Sequence, residues 1–278
     1  MSKPDRDPIG RAHLRDPADT THRIHRYPAP PELASHVRRF WIPVWSVPEG
    51  HEAPQRVLQY PVVLVVVTAA YARCYGPARG LSTTILTGEG WGVGAMLRPS
   101  AGAPLLGADV ADWTDRFEDL EETLGRRGRA LAGTIRSAMS SDPNDPASHR
   151  YSMDAFAPLF DAASVDAEGA LADRIVEYVE SRPDVTRVSQ VIEEFGISER
   201  ALQRLCGRRI GMPPKWLIQR RRLHDGVHRL RSGGTGTVAD IAADLGYTDQ
   251  AQFTRHFRAV TGMPPAEFAA WQHGMHRR

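Results

Sequence analysis

The sequence predicts an α+β protein. A mixed strand/helix N-terminal domain precedes an all-α C-terminal domain with two helix-turn-helix units joined by a linker helix. Three observations carry this. β-Branched apolar runs broken by Gly and Pro fill the stretch from FWIPVWSV (Phe40–Val47) to GVGAML (Gly92–Leu97), a strand-and-turn pattern. Apolar residues at helical spacing take over after Trp113. GMPPKWL at Gly211–Leu217 recurs in part as GMPPAEF at Gly262–Phe268, and internal repeats bear on the whole fold.

In chain order, residues 1–25 are polar and contain Pro and Asp, which predicts a disordered tail. Residues 26–165 form the N-terminal domain, expected to sense a ligand, self-associate, or both. Its longest apolar run, VVLVVVTAA at Val62–Ala70, suits a buried strand and is far short of the ~20 residues of a membrane span. TDRFEDLEETLG and GRALAGTIRSAM read as helices, SSDPNDPASH (Ser140–His149) as a turn-rich connection, and Ser152–Phe160 and Glu168–Ser181 as two more helices. The domain boundary is placed near residue 165, because ADRIVEYVESRPDVT leads straight into the first repeat.

Residues 166–278 hold the repeat. Val188, Val191, Ile192 and Phe195 correspond to Val238, Ile241, Ala242 and Leu245 at an offset of 50, as Gly196-Ile197-Ser198 does to Gly246-Tyr247-Thr248. Leu202, Arg204 and Cys206 then correspond to Phe253, Arg255 and Phe257 at an offset of 51. One residue is inserted in a turn, with helical periodicity kept on both sides. Each unit reads as an apolar-faced helix, a glycine that ends it in the left-handed conformation, an N-cap at Ser198 or Thr248, and a second helix with an Arg/Gln face. The first unit spans about 188–209, the linker helix about 213–231 and the second unit about 238–260. Pro213 and Pro214 open the linker, Trp216, Leu223, Val227 and Leu230 stripe it, and GGTG ends it.

Charge follows the same division. Residues 170–278 hold 17 Lys/Arg, 16 of them Arg, against 12 Asp/Glu, and residues 1–169 hold 18 against 21. A basic, Arg-rich third carrying two helix-turn-helix units predicts double-stranded DNA as partner, read through the major groove. The two cysteines, Cys74 and Cys206, are far apart, which argues against a disulfide framework and suits the cytoplasm. The start MSKPDRDPIGRAH has no apolar signal core.

LGYTDQAQFTRHFRAVTGMPPAEF, with the doubled unit and single linker, resembles the signature of the AraC/XylS family of bacterial transcription regulators. Cys206 stands where the family usually has an aromatic residue. RYPAPPELASHVRRFWIPVW and PKWLIQRRRLHDGVHRL are similar to a subgroup with an uncharacterised N-terminal domain unlike the arabinose-binding cupin. The resemblance implies a sequence-specific regulator rather than an enzyme. Its candidate partners are DNA, RNA polymerase, a small-molecule effector and a second copy of the chain, with no membrane and no cofactor. The alternative is a DNA-binding domain fused to an enzymatic or redox-sensing N-terminal domain.

The candidate DNA-facing residues follow from helix geometry. In the first recognition helix, Leu202 and Leu205 face inward, leaving Arg200, Gln203, Arg204 and Arg208 outward. In the second, Phe253 and Phe257 face inward, leaving Gln250, Gln252, Thr254 and Arg255 outward. Arg can read guanine and Gln adenine, each bidentately, and phosphate contact is the competing role. Matching to the family's contact positions keeps all of these except Arg208. Three other features carry less. GEGWGVG (Gly88–Gly94) lacks the following helix of a dinucleotide loop and reads as glycine on one strand face, open to a ligand or a close backbone. His224 and His228 have helical metal spacing but no third ligand, so no metal is expected. Cys74 is read as a buried strand cysteine, with a redox-sensing thiol as the alternative.

Overall fold

A computed structural model describes residues 12–160, 165–233 and 236–274. The N-terminal region is built on β1 (His22–Pro28), β2 (Val37–Ser46), β3 (Ala53–Val57), β4 (Leu64–Thr68), β5 (Ala72–Tyr75), β6 (Ser82–Leu86), β7 (Glu89–Leu97) and β8 (Phe117–Asp119). An antiparallel six-stranded sheet has the order β1-β2-β7-β4-β5-β8, and β3 and β6 form a separate antiparallel pair. Strand alternation gives the large sheet two different faces. Phe40, Ile42, Val63, Val65, Val67, Val93, Ala95 and Leu97 point to one side, into a core shared with Phe156 and with helical residues including Leu120, Leu131, Ile135 and Met139. Those helices are α1 (Pro99–Leu106), α2 (Leu120–Leu124), α3 (Arg126–Met139) and α4 (Pro146–Asp154). The opposite face looks toward the small sheet across a cavity.

The C-terminal region is all helical: α5 (Ala167–Ser181), α6 (Val188–Phe195), α7 (Glu199–Ile210), α8 (Pro214–Arg231), α9 (Val238–Asp244), α10 (Gln250–Thr261) and α11 (Pro265–Gln272). Two cores divide it. Ala172, Ile175, Val176 and Val179 of α5 join Val191, Leu202, Leu205, Cys206, Ile210, Leu217 and Ile218 in the first. Leu223, Val227 and Leu230 join Ile241, Ala242, Leu245, Tyr247, Phe253, Phe257 and Phe268 in the second. The linker helix α8 thus contributes its first half to one core and its second half to the other. No described helix is long and apolar enough to cross a membrane.

Three expectations are corrected. The sequence predicts a disordered tail over residues 1–25. Residues 1–11 lie outside the described residues, but residues 12–25 are packed: Leu14 is buried in the second core, His13 bridges to Val57, and β1 starts at His22. TDRFEDLEETLG is not one helix. Asp115 adopts φ 61°, and Phe117–Asp119 pairs with β5 as an edge strand before α2 begins. The helix expected at Ser152–Phe160 starts earlier, because the Asp145 carboxylate caps the Ala147 N–H and Pro146 takes the first helical position.

Candidate nucleic-acid interface

Each helix-turn-helix is set by its caps and its turn glycine. In the first unit, Gln190 Oε1 accepts from the backbone N–H of Arg187 at 2.9 Å and starts α6. Gly196 turns the chain at φ 61°. The Ser198 hydroxyl accepts from the Ala201 N–H at 3.2 Å and starts α7. In the second, Thr237 and Asp240 cap α9 reciprocally, with the Asp240 carboxylate accepting from the Thr237 N–H at 2.8 Å and Thr237 Oγ1 from the Asp240 N–H at 3.2 Å. Gly246 turns at φ 75°. The next cap is Asp249, not the expected Thr248: the Asp249 carboxylate accepts from the Gln252 N–H at 2.6 Å. Asp249 matches Ser198 at the offset of 51, so the inserted residue precedes the cap, a signal already present in the repeat.

The apolar faces of α7 and α10 are buried through Leu202, Leu205, Cys206 and Ile210, and through Phe253 and Phe257. On the other side, Arg200, Gln203 and Arg204 of α7 and Gln250, Gln252 and Arg255 of α10 are exposed, with Thr254 partly buried. Gln203 Nε2 donates to the Glu199 carboxylate at 3.1 Å, one turn back. Gln252 Oε1 accepts from the Thr248 N–H at 3.0 Å, so half of its amide serves the helix cap. Arg208 is partly buried and ion-paired with Glu168 of α5, and neighbouring Arg209 joins Glu168 at 3.1 Å and Asp166 at 2.5 Å. The helical wheel points Arg208 outward, but α5, forty residues earlier in the chain, lies against it. Arg258, absent from the sequence-based set, is exposed on α10 one turn beyond Arg255.

Two arginines of the linker helix, Arg220 and Arg221, point inward. Arg220 is buried, its guanidinium 4.4 Å from the Trp216 ring, and donates to the Arg79 carbonyl at 2.5 Å. Buried Arg221 donates to the Val185 carbonyl at 2.8 Å and to Asp225 at 2.9 Å. His224 donates its Nε2–H to the Leu58 carbonyl at 2.8 Å, and its ring packs on Tyr60. Burial pushes the Cys74 and Cys206 thiols up to about 12. Both are protonated at neutral pH, opposite to the thiolate character that redox sensing needs.

Comparison with known proteins agrees with this architecture. Residues 191–270 match a helix-turn-helix domain family, and residues 25–119 match a domain of unknown function, DUF6597. The virulence regulon transcriptional activator VirF of Yersinia enterocolitica is 30% identical over 82 residues, 29% of this chain and 30% of the relative. The HTH-type transcriptional regulator ExsA of Pseudomonas aeruginosa is 30% identical over 81 residues, 29% of this chain and 28% of the relative. The chain therefore spans about 30% of the length of the curated relatives it matches. The crystal structure of ToxT from Vibrio cholerae aligns over 92% of this chain and 100% of that one, at 12% identity and a TM-score of 0.39, too low to carry an argument. The C-terminal region is a helix-turn-helix domain of the AraC/XylS type, and it follows an N-terminal domain of an uncharacterised family.

Proposed function

We propose that the chain is a sequence-specific transcription regulator that binds double-stranded DNA through α7 and α10 in the major groove. Its N-terminal domain senses an effector, mediates self-association, or does both. The observation that carries the proposal is the pair of capped recognition helices, each exposing Arg and Gln, attached to the two halves of one helix. In this reading Arg200, Gln203, Arg204, Gln250, Thr254, Arg255 and Gln252 contact bases or phosphates, and Arg208 braces α7. The protein works in the cytoplasm, where RNA polymerase is its candidate protein partner, and has no catalytic role. The 18-residue α8 is about 27 Å long at 1.5 Å per residue, and helix offsets at each end extend its reach toward the ~34 Å between successive grooves on one face. The units differ at the reading positions, so each chain protects a non-palindromic, bipartite site with centres about 10 base pairs apart. Footprinting followed by a five-base-pair insertion between the half-sites tests this. The insertion turns one half-site to the opposite face and abolishes specific binding by a single chain. Unchanged affinity means that only one unit reads DNA.

The redox-sensing alternative requires a reactive thiol in the N-terminal domain. Cys74 is fully buried on β5 with its pKa raised, which counts against that reading.

A further inference from the structure

We infer that the N-terminal domain splints the linker helix α8 and thereby sets the spacing at which the two recognition helices meet DNA, with Arg220, His224 and Arg231 as the positioning residues. The DNA part of the inference rests on the bipartite reading above, and the splint itself is testable without DNA.

The 18-residue α8 carries one unit on each half. The two cores share no residue, so the geometry between α7 and α10 depends on α8 staying straight. Its sequence works against that. Gly226 lies inside the helix, and glycine weakens a helix interior. Close packing of α10 requires it there: an added Cβ would lie 3.2 Å from the Phe253 ring and 3.3 Å from Leu245. Unsupported, α8 would bend most easily at this point.

The support comes from one stripe of the helix. Arg220, His224 and Arg231 are four and seven residues apart, which at 3.6 residues per turn places them within about 40° of one another. All three reach the N-terminal region, and each donates to a backbone carbonyl: Arg220 to Arg79 at 2.5 Å, His224 to Leu58 at 2.8 Å and Arg231 to His13 at 2.7 Å. The acceptors lie on three separate stretches, between β5 and β6, after β3, and before β1. The donors span about 16 Å of helix at 1.5 Å per residue, with Gly226 between the second and the third. Arg220 and His224 are buried. A buried donor costs stability unless it is bonded, so each bond also specifies where the helix lies.

The same domain grips both units. Thr114 Oγ1 donates to the Gly211 carbonyl at the end of α7 at 2.8 Å. The Asp173 carboxylate of α5 accepts from the Ser100 N–H at 2.9 Å and from its hydroxyl at 2.7 Å. At the other end, Leu14 and Leu58 enter the second core, and Gln272 Nε2 of α11 donates to the Arg15 carbonyl at 2.9 Å. A body fastened to both units and along the helix between them removes the bending freedom that a lone helix keeps.

Double electron–electron resonance on the full chain measures the splint directly. Nitroxides are placed at exposed positions of α6 and α9 through Glu193→Cys and Ala243→Cys, and the buried Cys74 and Cys206 stay unlabelled. Without DNA, one narrow distance is expected. His224→Leu with Arg231→Met broadens it, and His224→Gln with Arg231→Lys, which keep a donor at each position, restores it. An unbroadened distance in the folded His224→Leu, Arg231→Met chain overturns the proposal, because α8 alone then sets the geometry. A gel-shift series with half-site centres about 8 to 12 base pairs apart, around the ~10 of successive grooves, reads the consequence. The wild type loses about tenfold when the spacing departs by about two base pairs, roughly 70° of DNA rotation, and the double variant less than about threefold. Equal weakening or tightening at every spacing also overturns the proposal, since the contact then acts on stability or inhibition and not on spacing. If the double variant does not fold, the two single variants give both readouts. A wild-type chain that binds every spacing equally, or binds no DNA, counts against the bipartite reading, and the distance measurement still decides the splint.

Discussion

The two helix-turn-helix units repeat one sequence pattern, yet they are held in different ways. The first has an aliphatic core, Leu202, Leu205, Cys206 and Ile210 against α5, and is clamped from outside by directional bonds. Arg208 and Arg209 grip Glu168 and Asp166. At the end of α7, Thr114 Oγ1 donates to the Gly211 carbonyl at 2.8 Å. Gly211 itself sits at φ 77°, where an added Cβ would lie 2.9 Å from the Val110 carbonyl oxygen. The second unit has an aromatic core of Tyr247, Phe253, Phe257 and Phe268, and Leu14 and Leu58 of the N-terminal region are part of it. His13, Val57 and Gln59, the immediate neighbours of those two leucines in sequence, line the cavity between the two sheets. A repeat preserves the backbone device, and the residues that differ between copies decide what each copy is fastened to.

Core truncation gives the largest contrast. Phe257 is fully buried with edge-to-face contacts to Phe253 and Phe268 at centroid distances of 5.5 Å. Phe257→Ala is expected to lower stability by about 3–5 kcal/mol. Cys206→Ala at the matching position removes one small group and is expected to cost about 1 kcal/mol. Urea denaturation of both variants checks this, and equal losses would show that the two cores are equivalent.

The fastening itself is tested at Leu14, which is 4% exposed. Leu14→Ala is expected to cost about 2–5 kcal/mol and to raise amide exchange in α9 and α10 more than in α6 and α7. Uniform exchange in all four helices would mean that the two units respond as one body.

His13 sharpens the same link through pH. Its backbone carbonyl accepts from Arg231 of α8 at 2.7 Å, and its Nε2 lies 2.9 Å from Gln55 Oε1. Burial, aided by the charges of His22, Arg26 and Arg231 and opposed by the Gln55 bond, lowers its pKa from 6.5 to about 4. The folded state thus prefers neutral His13, and between the two values the unfolded chain binds more protons. The stability this supplies is full above the unfolded value, declines as pH falls, and is lost through about pH 4. Its size is on the order of 3 kcal/mol. His13→Gln is expected to flatten the stability–pH curve in that window, read by thermal unfolding at several pH values.

Much of the C-terminal region was legible because its information is local. Apolar spacing, turn glycines and proline starts placed α6 to α10 within a few residues. What was missed depends on distant partners. Arg208 looked free on a helical wheel, and α5 takes it. Leu14 looked like part of a polar tail, and the second core encloses it. Phe117–Asp119 has helical spacing, yet the open edge of β5 draws it into a strand. The glycine alternation on β7 was visible, but its meaning required the cross-strand tryptophans, Trp41 opposite Gly94 and Trp45 opposite Gly90. The cap of α10 is Asp249 rather than Thr248, as the repeat offset of 51 from Ser198 indicates.

That last point leads to the smallest predicted effect, which bears on how the second unit reads DNA. Asp249 and Gln252 start α10 together, with bonds of 2.6 Å and 3.0 Å, whereas Ser198 starts α7 with one bond of 3.2 Å. A carboxylate at a helix N-terminus also gains from the helix dipole. Both Asp249→Ala and Ser198→Ala fall within the ~0.5–2 kcal/mol of a lost cap, with Asp249→Ala the larger. Gln252→Ala separates two roles for one side chain. If its amide serves only the cap, affinity falls by less than about 1 kcal/mol and equally for every DNA sequence. If it also reads a base, preference relaxes at one position by about 1–3 kcal/mol. Selection of bound sequences from a randomised pool by wild type and by Gln252→Ala tells these apart. An unchanged consensus assigns base reading in the second unit to the exposed Gln250 and Arg255 and the partly buried Thr254, and leaves Gln252 as the residue that orients their helix.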